Sequence, residues 1–371
     1  MESGQLQNKE TEKPKGGTSI DFQKLAESVI LVLIGFGISA VVIQAAGYSA
    51  ATVISTLVQS SFGTPSGLSS TLWEATSLTM TGLAATIAFR AGLFNIGVEG
   101  QAYLGGFMGF LVGYYFSFPP VIEIPLVIVA SALGGLLWAV VPAFLKAYRD
   151  VNEVVTTIMM NYIGSYLVSY LQTIYKSPYG NAAYTSQVNP SAQFTRLFPW
   201  GTVDTGIIVS ILGLVVVYFV LWYTTIGYSI RVSGINPFAA RYAGVNPKRM
   251  TLFVMLLSGS LAGIGGGLFT NASIIGHFDI TTITGVGLNG ITVSLVGQIH
   301  PIGTLLGALL VGAMVASTPF IEIATGMPPQ LVQLITGIIV VAASVPGIIL
   351  MVRTALNRWG RRKPKQAGSD R

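Results

Sequence analysis

The chain has 371 residues, of which 51% are hydrophobic and only 9% charged, with a mean hydropathy of +0.67; water-soluble domains carry about 25% charged residues. These values exclude a soluble globule and point to an all-α polytopic membrane protein. Cysteine is absent, which rules out disulfides and thiolate metal sites, and the net charge of +6 gathers at the ends of apolar stretches rather than in a nucleic-acid-binding patch.

Residues 1–27 are polar, mixed in charge and without an apolar core, so they predict a cytoplasmic N-terminal tail rather than a signal peptide. A membrane span needs roughly 20 mainly apolar residues. That criterion places spans near 28–46, 72–89, 100–118, 124–145, 154–174, 205–222, 250–270, 285–298, 302–317 and 331–351, within a transmembrane domain of residues 28–352. The eighth and ninth are short enough to be broken or re-entrant, so the expected number of crossings lies between eight and ten. A further helix at 50–62 has the polarity of an interfacial segment, and residues 353–371 form a basic tail.

Orientation follows from the Lys and Arg residues, which are retained on the cytoplasmic side. With the amino terminus inside, all of the 20 basic residues except Lys176 and Arg196 fall on inner connections. Both termini are then cytoplasmic. The longest outer connection, 172–204, is rich in Pro, Tyr, Asn and Ser and reads either as a docking surface or as a solvated loop. Trp73, Tyr114, Tyr115, Trp200, Tyr218, Trp222 and Tyr223 lie near span ends, where aromatic rings anchor at the headgroups.

Polar residues inside apolar stretches are costly and therefore informative. The segment FRAGLFNIGVEGQ, 89–101, interrupts the membrane pattern with Arg90, Asn95, Glu99, Gln101 and three glycines. Either it lines a passage, or Arg90 and Glu99 pair to close a sharp turn. Asn161 and Asn289 are further pathway candidates, through bonds to a neutral polar solute or, alternatively, to a neighbouring helix. Glycine clusters at 134–135, 263–267 and 303–312 read as faces where helices approach closely. No phosphate-binding Gly-x-x-x-x-Gly-Lys-Ser/Thr loop occurs, His277 and His300 lack nearby ligand-spaced acids, and nothing points to catalysis, a metal or a bound cofactor.

The segment between the sixth and seventh spans carries Arg231, Arg241, Lys248 and Arg249 and no acid. Within it Asn236 and Pro237 start a helix over 237–243 and Gly244 ends it, because Asn caps free amides, Pro suits the first helical position and Gly the left-handed exit. A short capped helix held between two spans is either an ordinary connector or a lever that receives force from a soluble partner.

Taken together, GLFNIGVEGQAYLGGF (92–107), NEVVTTIMMNYI (152–163), INPFAARYAGVNPKRM (235–250), LSGSLAGIGGGL (257–268) and GVGLNGITVSLVGQIHPIGTLLGALL (285–310) resemble the permeases of bacterial ABC importers. The resemblance is to the branched-chain amino acid, ribose and nucleoside group, and most to its nucleoside-uptake branch. It implies a bundle like that of the vitamin B12 importer's permease, in the bacterial cytoplasmic membrane. It also implies a second permease, identical or paralogous, an ATPase with two nucleotide-binding halves that binds the ATP and Mg, and a solute-binding lipoprotein. The 237–243 helix would be the coupling helix, with Asn236, Pro237, Phe238, Ala239, Ala240, Arg241, Tyr242 and Gly244 in a cleft of the ATPase. On this reading the chain is a transport subunit for a nucleoside, with ribose, another sugar or an amino acid as the alternative cargo. An ion-coupled secondary transporter is the alternative of a different class, and the scarcity of acids within the spans speaks against it.

Overall fold

The computed structural model describes residues 22–177 and 184–344, which fold into helices joined by short connections, with two isolated antiparallel bridges and no strand among these residues. The helices in chain order are α1 (Phe22–Ala45), α2 (Ala50–Phe62), α3 (Pro65–Arg90), α4 (Val98–Tyr115), α5 (Pro120–Arg149), α6 (Glu153–Ile174), α7 (Gly206–Tyr223), α8 (Thr225–Ile235), α9 (Pro237–Tyr242), α10 (Pro247–Thr270), α11 (Ile280–Ile283), α12 (Val286–Val296), α13 (Pro301–Thr325) and α14 (Pro329–Ser344). Most of the tail predicted at 1–27, the whole of the basic tail at 353–371 and the end of the tenth predicted span lie outside the described residues.

Among the described residues five helices, α5, α6, α7, α10 and α13, are long and apolar enough to cross a membrane. Helices α3 and α4 are less apolar because they are central: both are buried along most of their length, where Ser, Thr and Gly replace bulky side chains. The Thr hydroxyls of α3 return bonds to their own helix, as Thr79 does to the Ala75 carbonyl at 2.6 Å, or cross to a neighbour, as Thr86 does to Ser294 at 2.8 Å. Such bonds satisfy polar groups that lipid could not.

Helix α10 packs against α3, α4 and α5, and α3 in turn packs against α12 and α13. The α4–α5–α10 contact is made by glycine: a Cβ at Gly105 would collide with the backbone of Gly263, and one at Gly135 with the Gly259 carbonyl. The glycines of 263–267 are therefore packing faces, and α10 runs unbroken through them. On the other side α1 pairs with α14, and α2 lies along α13, with Val53 and Leu57 buried and the Ser61 hydroxyl donating to the Ala313 carbonyl at 2.9 Å.

Two predicted spans differ in form. The eighth, expected at 285–298, is the single short helix α12, 11 residues and about 16 Å long, set off from the preceding α11 by Gly285, whose φ of +98° suits glycine. The ninth is longer than its sequence suggests, because α13 continues past Pro319 to Thr325. The connection 172–204, apart from 178–183, is packed down rather than free. The Thr185 amide donates to Phe278 O at 3.0 Å, the Val188 amide to Gly276 O at 2.8 Å and the Phe194 amide to Asn271 O at 3.0 Å, tying the connection to the end of α10 and the segment after it.

Candidate functional site

The connection between α7 and α10 is an arm built by three caps. Thr224, extended at φ −117°, accepts the Gly227 amide at 3.1 Å and starts α8. Asn236 is extended at φ −151°, and its side-chain oxygen accepts the amides of Phe238 at 3.0 Å and Ala239 at 3.1 Å, with Pro237 first in α9. Such a cap contributes about 1 kcal/mol to its helix. Gly244 leaves α9 at φ +82°, and Asn246, followed by Pro247, repeats the device for α10 by accepting the Arg249 amide at 3.2 Å. This second Asn-Pro start carries the same sequence signal as the first and escaped the sequence reading.

Of the eight residues expected to meet a partner, seven are exposed and Ala240 is buried, so Ala240 faces the chain itself and corrects that part of the expected surface. Asn236 and Gly244 shape the helix. The presented surface is Phe238, 72% exposed, and Tyr242, 96% exposed, with Arg241 between them and Lys248 and Arg249 beyond. No other part of the described chain covers these two rings.

The arm is fastened to the 91–99 turn. Gly234, near the end of α8, has no room for a Cβ against the Arg90 carbonyl and Gly92, and Gly92 itself turns at φ +74°. Beyond Gly92 the buried Asn95 donates to Gln101 and Ser258, both at 2.9 Å, and accepts the Gly97 amide at 3.0 Å; Ser258 donates to the Ala84 carbonyl at 2.7 Å. Asn95 and Ser258 together thus join α3, α4 and α10. Asn161 of α6 accepts the Gly100 amide and donates to the Ile96 carbonyl, each at 2.8 Å. Glu99 accepts the Tyr103 hydroxyl at 2.7 Å and the amides of Gly285 at 2.5 Å and Leu288 at 2.8 Å. A carboxylate at the α12 N-terminus meets both its free amides and the positive end of its dipole.

Asn95, Glu99, Gln101 and Asn161 are thus brought together with their polar groups engaged by the protein. Asn289 stands apart on α12, half-buried, with no side-chain hydrogen bond among the described residues. The Arg90–Glu99 pair, one of the two alternatives for this segment, does not form. Arg90 instead donates to the Ile299 carbonyl at 2.5 Å and lies 5.4 Å from the centre of the Trp222 ring, with Arg231 5.6 Å from the same ring. The His300 ring is 4.8 Å from Trp222, so the α3 end, the α7–α8 junction and the α12–α13 connection meet at one indole. Sequence reasoning took Trp222 for an interfacial anchor alone. Among the described residues no group of acids and histidines could hold a metal ion.

The family model "Branched-chain amino acid transport system / permease component" matches residues 67–344, spanning the arm, the turn and α12. The chain belongs to this family. The permease is 33% identical to the guanosine ABC transporter permease protein NupP of Bacillus subtilis (strain 168), over 90% of this chain and 96% of that one. It is 29% identical to the nucleoside ABC transporter permease protein NupB of Lactococcus lactis subsp. cremoris (strain MG1363), over 88% and 92%. It is 32% identical to the glucose ABC transporter permease protein TsgB13 of Haloferax volcanii, over 74% and 75%. Membership makes the permease a transport subunit rather than an enzyme, which accords with an architecture of apolar helices and a protruding arm.

Proposed function

We propose that the permease carries nucleosides inward across the bacterial cytoplasmic membrane, driven by ATP hydrolysed on a separate ATPase, with a second permease and a solute-binding lipoprotein completing the importer. Its transmembrane domain, residues 28–352, would lie between two cytoplasmic tails in a bundle of eight to ten crossings like that of the vitamin B12 importer's permease. The cargo assignment is carried by the near full-length similarity to the guanosine permease protein. The glucose relative, matched over a smaller share of both chains, makes sugar the competing cargo.

In this reading α9 is the coupling helix, and Phe238, Arg241 and Tyr242 enter the ATPase cleft. Closure of the ATPase on ATP displaces the arm, and the contact of Gly234 with Arg90 and Gly92 passes the displacement to the 91–99 turn. Glu99 then moves the start of α12, where Asn289 faces the solute path. ATP can shift the equilibrium between inward and outward openings only because the ATPase binds it differently in the two states. Uptake of labelled guanosine and labelled ribose by cells expressing the complete importer separates the cargoes. Guanosine uptake that excess unlabelled adenosine or cytidine suppresses supports the nucleoside assignment, and uptake of ribose alone refutes it.

A further inference from the structure

Helix α6 is the least buried and least apolar of the five long spanning helices; it packs against α4, α5 and α11, burying Thr157, Gly164, Val168 and Gln172 along one side. On its open side Tyr162, Tyr166 and Tyr170 follow one another at four-residue spacing, 63%, 76% and 66% exposed. The 22 residues of α6 span about 33 Å, which puts Tyr162 and Tyr166 about 14 and 20 Å from its start, near mid-membrane. None of the three hydroxyls has a hydrogen-bond partner among the described residues.

Hydrocarbon offers a phenol hydroxyl nothing to bond, so tyrosines that face lipid gather at the headgroups instead. Helices α5 and α7 obey that rule. Helix α7 exposes Ile208, Leu212, Val215 and Val216 along its length and reserves Tyr223 for its end, while the exposed Tyr148 sits at the end of α5. The α6 stripe breaks the rule at two successive turns, although Val155, Met159, Ile163 and Ile174 are exposed beside it, so its tyrosine edge is suited to polar material rather than to lipid.

Resting on the nucleoside assignment, we infer that Tyr162, Tyr166 and Tyr170 form one wall of the translocation path and pass the nucleobase from ring to ring. The steps between them are about 6 Å along the helix, short enough for a base leaving one ring to engage the next. A phenol ring stacks on any base, purines giving more overlap than pyrimidines, and its hydroxyl bonds ribose or base edges. Because the stripe requires no particular base edge, it offers no deep well to trap the cargo. Asn161, on the same helix, holds the 96–100 backbone, so the wall is tied to the turn that the arm moves.

The chain has no cysteine, so single cysteines can be introduced without background. In the reconstituted importer, Tyr166→Cys is expected to react with a membrane-impermeant thiol reagent and to be protected by guanosine, while Val216→Cys on α7 stays unreactive. Tyr166→Leu is expected to lower guanosine turnover about tenfold without changing the half-saturating concentration and to narrow the purine-over-pyrimidine preference, with Tyr166→Phe retaining most of the turnover. The proposal is overturned if Tyr166→Cys is as unreactive as Val216→Cys, if guanosine fails to protect it, or if Tyr166→Leu transports at the wild-type rate. Failure of the unaltered importer to move any nucleoside would refute the cargo assignment itself, a result separate from all three.

Discussion

The Glu99 carboxylate accepts the backbone amide of Gly285 at 2.5 Å, and its second oxygen takes the Leu288 amide at 2.8 Å, so the start of α4 caps a helix that begins nearly two hundred residues later. Among the described residues no other acid performs this task, since α12 has none in its first turn and its own N-cap is a glycine with no side chain to offer. The polar motif in 92–107 thereby acquires a structural reason that does not require contact with solute.

Replacing Glu99 by Gln exchanges one acceptor oxygen for an NH2 group that faces an amide donor. Hydrogen bonds to charged groups contribute about 1.5–3 kcal/mol each. Glu99→Gln is therefore expected to lower the thermal unfolding midpoint of the purified permease and to reduce uptake more steeply than it reduces membrane insertion. An unchanged midpoint would mean that the carboxylate does not hold α12.

At the α4–α10 crossing, a Cβ on Gly105 meets the backbone of Gly263, which has no rotamer with which to yield. Gly105→Leu is expected to cost about 3 kcal/mol or more through overpacking and to abolish recovery of folded permease. At Gly37, where an added Cβ meets nothing, Gly37→Ala is expected to be neutral or to stabilise α1 by up to about 1 kcal/mol. Size-exclusion profiles of the two detergent-purified variants provide the comparison.

Asp204, in the connection before α7, is buried, and burial pushes its carboxyl up to about 6; the Gly206 and Ser273 amides and nearby Arg196 pull in the opposite direction without overcoming it. Because the folded chain holds this proton more tightly than the unfolded one, its effect on stability is most favourable at low pH. That effect declines as pH rises from about 4 through about 6 and is level above. Thermal midpoints of wild type and Asp204→Asn between pH 4 and 8 should differ in this slope, which the Asn variant lacks.

What could be read from the sequence followed chemical range. The Asn236-Pro237 start and Gly244 exit are local, and α9 appears where their geometry requires it. The apolar stretches likewise emerge as helices, because lipid leaves the backbone few other ways to satisfy its hydrogen bonds. The partner of Glu99 was hidden, since neither Gly285 nor Leu288 advertises a need for a distant carboxylate. Arg90 and Glu99, close in sequence and opposite in charge, suggested each other but are drawn to Ile299 and to α12 instead. The tyrosines of α6 went unread, because their significance depends on which side of the helix is left open, and only packing decides that. The break at Gly285 falls where the eighth span was expected to start, whereas the continuation of α13 through Pro319 was not foreseen: a lone Gly or Pro marks a possible break, and the neighbouring helices determine whether it occurs.

The central claim is that the α8–α9 arm receives force from an ATPase, and the most direct measurement is ATP-dependent guanosine uptake into proteoliposomes containing the full importer, made with wild-type permease and with Arg241→Glu. The account predicts uptake that requires both ATP and the ATPase, and that falls at least tenfold in the variant while insertion and the ATPase's own hydrolysis persist. Uptake that proceeds without the ATPase under an ion gradient, or wild-type uptake by Arg241→Glu, would contradict it.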